Sequence, residues 1–419
     1  MFITTTPALK ARVKQRYADF IVEEVYAENE KEQICKVDKF TTPFCERSEK
    51  KLVVPENTEE KEHLILELEK INTDTNTAIA LLSRGLGLSK SRIGYAGMKD
   101  KRAITAQRIS IYGADTDKIE RFGAKGLGLK NPSWGERLEL GDLKGNQFTL
   151  TLRDISASKE DIKKIVDEFA KQIKNGIPNF FGTQRFGGKR NVTHRVGKLL
   201  LQENFKDAVM LYLTETFEEE KPEIKNARIN LAKTLDFKQA LREFPNVCRS
   251  EKAILNELAK NPTDFMKAFG ALQKKTRYLF VHAYQSYLFN KIIGKRIELF
   301  GEKALEKIDG DVLSEDGVPT TLLPGFESTF SEGKAGEIEK QIMKEEKVSF
   351  KTFRVHSLSE LSSKGNLKEI SLFPKDFKLL EVMDDEFNDE KRAIKISFFL
   401  SKGNYATTAL KELIKEEIF

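Results

Sequence analysis

The chain is poor in the residues on which redox and metal chemistry rest. Its 419 residues include three cysteines, Cys35, Cys45 and Cys248, with no CxxC pair. An odd, scattered set of thiols argues against a disulfide framework and for a reducing compartment, so the cytoplasm is the expected location. Four histidines, His63, His194, His282 and His356, lie far apart with no HExxH-type spacing, and no metal centre is expected. No glycine run completes a GxxxxGKS/T or GxGxxG pattern; Gly85-Leu86-Gly87 and Gly126-Leu127-Gly128 read instead as a helix end and a turn. No stretch approaches 18 apolar residues and the first 14 lack a signal-peptide apolar core, so neither a membrane span nor secretion is expected. Charge of one sign is also missing. The 71 Lys and Arg against 65 Asp and Glu leave only +6, so binding to RNA would rest on local basic patches.

What is present is a long chain of mixed texture, enough for two domains or for one domain carrying a large insertion. Phe20-Ile21-Val22 with Glu23 and Glu24 reads as a short strand. Residues 28 to 62 are dominated by charge and read as a surface excursion or small subdomain. The alternation of His63 to Lys70 predicts a strand with one face to the core. A helix should follow, capped by Asp74 or Thr75, with Ala78, Ile79, Leu81 and Leu82 on its apolar face and Gly85 at its end. Further strands are expected at 106 to 112, at 137 to 140 and, after a tight turn, at 146 to 152; a helix is expected at 159 to 174. After Asn179 to Gly188 the texture changes to charged, helix-periodic segments at about 193 to 215, 236 to 260 and 275 to 299, then a strand-rich piece around 308 to 330. A strand at Lys395 to Leu400 and a helix at Ala406 to Lys415 close the chain. Strand and helix patterns thus both recur along the chain.

One segment carries a candidate chemistry. In Gly94-Tyr95-Ala96-Gly97-Met98-Lys99-Asp100-Lys101-Arg102 a single carboxylate sits among three cations, between elements that hold its loop in place. Read by itself, such an aspartate is ordinary turn chemistry. The same residues also suit an ionised nucleophile beside groups that hold an anionic polymer. Asn146 and Phe148, two apart on one strand, share a face.

These residues resemble the TruD-type tRNA pseudouridine synthases. The resemblance rests on Lys14 with Asp19-Phe20, Val22 and Glu24; on Glu69-Lys70 with Thr75; and on Gly97-Met98-Lys99-Asp100-Lys101 with Thr105 and Gln107. It continues through Gly141, Leu143, Gly145, Asn146 and Phe148, the Asn179 to Gly187 segment, Gln285 to Asn290, Gly310-Asp311, and Gly403 to Thr407 with Glu412-Leu413. These motifs span about 14 to 413 in one order, in a chain of archaeal-like length. The resemblance implies an α/β fold with a mixed sheet: a pseudouridine-synthase catalytic domain at 1 to 188 and 350 to 419, interrupted by an inserted TRUD domain at 189 to 349. It implies isomerisation of uridine 13 of tRNA to pseudouridine, with no cofactor and no metal, and with tRNA as partner. Asp100 occupies the nucleophile position.

A flipped-out uridine needs a surface to settle on, and Phe148 is the expected stacking ring. Asn146 can hydrogen-bond Asp100 or the base. Lys14, Phe20, Glu24, Lys99, Gln107 and Arg185 complete the expected substrate-binding shell. Lys99 serves either chemistry or phosphate neutralisation, and Gln184 and Arg185 either the site or an interdomain joint. Helix 275 to 299, with Arg277, Lys291, Lys295 and Arg296, offers either an RNA groove or a solvated basic face. Four positions depart from the family pattern: Phe180 for a tyrosine, Ser401 for a proline, Lys411 for an arginine, and Lys368 near where an arginine is common. The alternative from another class is a catalytically silent tRNA-binding or chaperone protein with the same fold.

Overall fold

A computed structural model describes residues 2–28, 31–38 and 52–416. The chain divides into two compact units, one comprising Thr4–Gly176 with the C-terminal stretch from Leu372, the other comprising Ile177–Ser371.

The first unit is built on a mixed sheet that has ten strands among the described residues. Its strands are β1 (Arg12–Val13), β2 (Phe20–Glu28), β3 (Lys31–Ile34), β4 (His63–Ile71), β5 (Ile93–Tyr95), β6 (Ile104–Tyr112), β7 (Leu127–Gly135) and β8 (Gly145–Ile155), joined by Lys375–Asp384 and Arg392–Ser401. The order across the sheet is Lys375–Asp384, Arg392–Ser401, β8, β2, β6, β4, β7, with β1 beside β8, β3 beside β2 and β5 beside β6. β2 and β6 run parallel, and β2 is antiparallel to β8.

Alternation in β4 explains one core. Leu64, Leu66 and Leu68 are fully buried and pack with Ala78, Ile79 and Leu82 of helix α1 (Thr75–Leu86) and with Ile109 and Ile111 of β6. Asp74 caps α1, its carboxylate accepting from the Thr77 N–H at 3.0 Å. The helix runs one turn-half past the expected stop at Gly85, because the left-handed residue that ends it is Gly87, at φ +69°. Helix α3 (Lys159–Gln172), which follows the six-residue α2 (Thr116–Arg121), buries Ile162, Val166 and Phe169.

Two expectations fail here for local reasons. Residues 137 to 140 form no strand: Leu138 is buried but Leu140 is 73% exposed, so their spacing does not mark one face. The strand that pairs with β4 is the earlier β7, and Leu127-Gly128, read as a turn, begins it. The charged segment after residue 28 also starts inside the sheet. β3 pairs with β2, Cys35 is fully buried, and Val37 and Asp38 donate their N–H groups to Glu23 (2.8 Å) and Glu69 (3.1 Å). Residues 29, 30 and 39 to 51 of that segment lie outside the described residues.

The second unit is mainly helical, around the long helix Lys274–Phe300, whose Tyr284, Leu288, Phe289 and Ile292 are buried. The periodic stretch expected at 193 to 215 is two helices, α4 (Thr193–Leu201) and α5 (Phe205–Thr214). Glu203, at φ +57°, breaks the run, and Asn204 caps α5 by accepting from the Asp207 N–H at 3.2 Å. The stretch at 236 to 260 likewise splits into Phe237–Glu243 and Arg249–Leu258, with Pro245 between them. The 308 to 330 piece supplies Val312–Leu313 and Pro319–Leu323, which with Asn366–Glu369 form a small sheet.

Three cations of the helix Lys274–Phe300 are engaged within the unit. Arg296 is buried and paired with Asp311 at 2.5 Å, Arg277 pairs with Glu360 at 2.6 Å, and Lys291 pairs with Glu346 at 2.8 Å. Arg277, Lys291 and Arg296 therefore tie the unit together. Glu346 gathers Lys198 (2.8 Å), Lys291 and the hydroxyls of Tyr287 (3.3 Å) and Tyr284 (3.4 Å). Burial alone would raise its pKa, but the two ammonium groups outweigh that and hold it at about 2. A carboxylate depressed in the fold stabilises above its ordinary value near 4.5 and loses that contribution as the pH falls toward 2. Glu346→Gln is accordingly expected to cost about 2 kcal/mol at pH 7. The deficit should shrink on acidification, a trend that melting curves at pH 7 and pH 3 would reveal.

Candidate active site

The loop between β5 and β6 is held from below. A Cβ on Gly94 would meet the Leu138 carbonyl and the Ser110 hydroxyl, each at 2.5 Å, so only glycine fits where the loop leaves β5. The Gln107 side chain on β6 donates to the Gly97 carbonyl at 2.9 Å. Its amide oxygen accepts from the Thr75 hydroxyl at 3.1 Å, and that hydroxyl accepts from the Lys99 N–H at 2.9 Å. The first turn of α1, the loop and β6 thus form one hydrogen-bonded unit.

Asp100 stands on this platform with its side chain 52% exposed. Lys14 approaches from the segment before β2 and places its ammonium 2.9 Å from the Asp100 carboxylate. Lys14 takes a left-handed φ of +59°, and its nitrogen lies 3.8 Å from the centre of the Phe20 ring. The ammonium thus lies between the ring face and the carboxylate, a cation–π contact on one side and an ion pair on the other. Lys101 and Arg102 are exposed beside the carboxylate, and Arg102 reaches the Gln15 carbonyl at 3.4 Å.

Lys99 points inward. Its ammonium meets the Glu24 carboxylate at 2.6 Å, with both side chains out of solvent, and the other Glu24 oxygen accepts from the Arg108 N–H at 3.1 Å. Lys99 is therefore committed to a buried pair rather than offered to phosphate. Strand register places Asn146 directly opposite Glu24, and Phe148 opposite Val22. Two polar atoms on this face of the sheet, Asn146 Oδ1 and Thr105 Oγ1, are buried without a hydrogen-bond partner. Buried polar atoms are ordinarily paired, so the two are available to a ligand. Beside them is an aromatic wall: Phe148 stacks on Phe398 at 5.4 Å and meets Phe20 edge-on at 6.2 Å. Phe148 is only 6% exposed.

The first unit thus brings together Asp100, Lys14, Phe20, Glu24, Lys99, Gln107, Asn146 and Phe148. Arg185 belongs to the second unit, where its guanidinium donates to the Ser286 hydroxyl at 2.9 Å. In the same unit Asn290 binds both the N–H and the carbonyl of Phe181, each at 2.9 Å, and so lays the Asn179 to Gly187 segment on the helix Lys274–Phe300. One residue outside the expected shell is tied to the loop. Lys70, fully buried at the end of β4, donates to backbone carbonyls of Thr73 (2.7 Å), Asp100 (3.0 Å) and Lys99 (3.4 Å). Its sequence signal is a lysine in the inward phase of the Leu64, Leu66, Leu68 alternation. No group of three or more His, Cys, Asp or Glu side chains gathers as metal ligands among the described residues, and none of their helices is long and apolar enough to cross a membrane.

An exposed, lysine-paired carboxylate over a polar floor with an aromatic wall suits nucleophilic chemistry on a planar base. The sequence profile of the family described as tRNA pseudouridine synthase D (TruD) matches residues 1–317 and 298–413. The chain belongs to the TruD family. Among TruD relatives, "Probable tRNA pseudouridine synthase D" of Methanosarcina acetivorans is 38% identical over 450 residues, spanning 99% of this chain and 95% of that protein. The Methanopyrus kandleri protein of the same name is 38% identical over 358 residues, covering 85% and 86%. The crystal structure of a TruD chain from Methanosarcina mazei superposes with a TM-score of 0.79 at 35% identity, covering 100% of this chain and 96% of that one. The TruD profile spans the residues named above in each of the two units.

Proposed function

We propose that the chain isomerises uridine 13 of tRNA to pseudouridine, with Asp100 as the nucleophile on a flipped-out base. The observation that carries this reading is the exposed Asp100 carboxylate on a loop anchored by buried hydrogen bonds, 2.9 Å from the Lys14 ammonium, in a chain of the TruD family. The reaction breaks the N1–C1′ bond and makes a C5–C1′ bond. Nitrogen 1 gains a proton and carbon 5 loses one, so no electrons are exchanged and no redox cofactor is needed. A carboxylate, ionised at neutral pH, can form and release a covalent bond to the sugar or the base during the transfer.

The neighbouring groups suit this chemistry. Lys14 holds the Asp100 carboxylate in place through their ion pair, and the free Asn146 Oδ1 can accept an N–H from uracil. Flipping the nucleotide costs roughly a few kcal/mol, partly offset by contact with the wall of Phe148, Phe20 and Phe398. Because Phe398 already covers one side of Phe148, stacking on that side requires Phe398 to move. The catalytic domain is assigned to 1 to 188 and 350 to 419, the inserted TRUD domain to 189 to 349, and the enzyme to the cytoplasm.

Incubation of the protein with tRNA tritiated at carbon 5 of uridine should release label, and a transcript carrying cytidine at position 13 should not. Equal release from both transcripts would redirect the site to another uridine. No release from any tRNA, with tight binding retained, would favour the silent tRNA-binding alternative.

A further inference from the structure

Lys70 is an unusual residue to find beneath a reactive loop. Its neighbours on the same face of β4 are leucines, it is fully buried, and no carboxylate is within ion-pair distance of it among the described contacts. An ammonium has three N–H donors and no acceptor, and here all three find backbone carbonyls. Thr73 O, at 2.7 Å, belongs to the turn between β4 and α1, whereas Asp100 O, at 3.0 Å, and Lys99 O, at 3.4 Å, belong to the loop that carries the nucleophile. The ammonium therefore joins a hydrogen-bonded turn to the peptide units on either side of the Asp100 Cα.

We propose that Lys70 is a positioning residue for the isomerisation: its ammonium clamps the Asp100 and Lys99 carbonyls to the β4–α1 turn and so aims the Asp100 carboxylate. This inference rests on Asp100 acting as the nucleophile. The clamp is electrostatic as well as geometric. Burial lowers the Lys70 pKa, opposed by the charges of Asp100 and Asp74 and assisted by that of Lys99, to about 8. These three are the charged groups that face it from the loop and from the start of α1. Loss of the proton removes one donor and the charge that gathers three carbonyl oxygens, so the loop loosens on the alkaline side of neutrality.

The sign for stability is opposite to that for activity. A lysine whose value is lower in the fold than in the unfolded chain gives up its proton first when folded. Between about 8 and the ordinary 10.5 the unfolded chain holds the extra proton, so this group favours the fold more, not less, as the pH rises. Turnover should fall through this window without a matching loss of stability from Lys70.

The test is kcat and KM for tRNA between pH 6.5 and 9.5, with melting temperature at each pH, for wild type, Lys70→Met and Lys70→Arg. Wild-type kcat should fall with a midpoint near 8 while KM changes by less than about twofold. Lys70→Met should lose about 30-fold in kcat at pH 7, since a misdirected nucleophile loses up to about 100-fold. Its kcat should be flat where the wild type bends. Lys70→Arg, charged throughout, should shift the bend upward. Wild-type kcat that stays level to pH 9, or a Lys70→Met enzyme within about threefold of wild type, would overturn the proposal. The wild-type profile decides even if a variant fails to fold. Absence of tritium release from wild type at every pH would instead sink the reading of the site on which it rests.

Discussion

Asp100→Asn is expected to lower tritium release by about 10⁴-fold or more, equivalent to at least about 5 kcal/mol of barrier, with tRNA affinity unchanged within about twofold. The argument follows from where the side chain sits. Half exposed, Asp100 carries little packing, and the asparagine oxygen can still accept from Lys14, so fold and binding surface persist. An amide cannot form the covalent bond that a carboxylate forms. Asp100→Ala provides the control, because asparagine can deamidate back to aspartate during preparation whereas alanine cannot. Release above about 1% of wild type in the alanine variant would remove Asp100 from the role of nucleophile and reopen the remaining carboxylates of the site.

The second large effect is on stability. Lys99→Met should destabilise the sheet-bearing unit by about 3–5 kcal/mol, because it leaves the Glu24 carboxylate charged in a fully buried position. In a unit of this size that is a melting shift on the order of 10 °C. The Arg108 N–H remains to Glu24, but a single backbone donor does not replace an ammonium at 2.6 Å. Glu24→Gln added to Lys99→Met should recover more than half of the loss, since the neutral amide keeps an acceptor for Arg108 and buries no charge. Calorimetry of the two variants and the wild type separates the cases. A single variant that melts within about 2 °C of wild type would mean that water reaches the pair, and that Lys99 is free for phosphate after all.

Local chemistry was legible where one rule decided it. The inward leucines of β4, the Asp74 cap and the shared face of Asn146 and Phe148 follow from strand and helix periods alone. The period failed at Arg137 to Leu140, where two leucines two apart do not share an environment, and at Gly85, where a glycine lies inside the helix that Gly87 ends. Long-range pairing left no trace in the pattern. Glu24 and Lys99 meet because β2 lies parallel to β6, a register that neither segment encodes by itself. Lys70 stands in a family motif, but its role is not legible there, because an alternation read by its apolar members gives no function to a lysine in the same phase. The aromatic wall was half visible, since Phe148 and Phe20 belong to family motifs but Phe398 comes from a strand near the far end of the chain.

That last strand has a temporal consequence. Arg392–Ser401 lies between β8 and Lys375–Asp384 inside the sheet, yet the ribosome makes it long after β8. At about 5–20 residues per second the edge of β8, with Phe148 and Leu150 on it, waits on the order of 10–50 s for its partner. Each nascent chain must pass this interval with an unsealed hydrophobic seam, so its yield in the cell should depend on how quickly translation finishes and on what shields the seam until then.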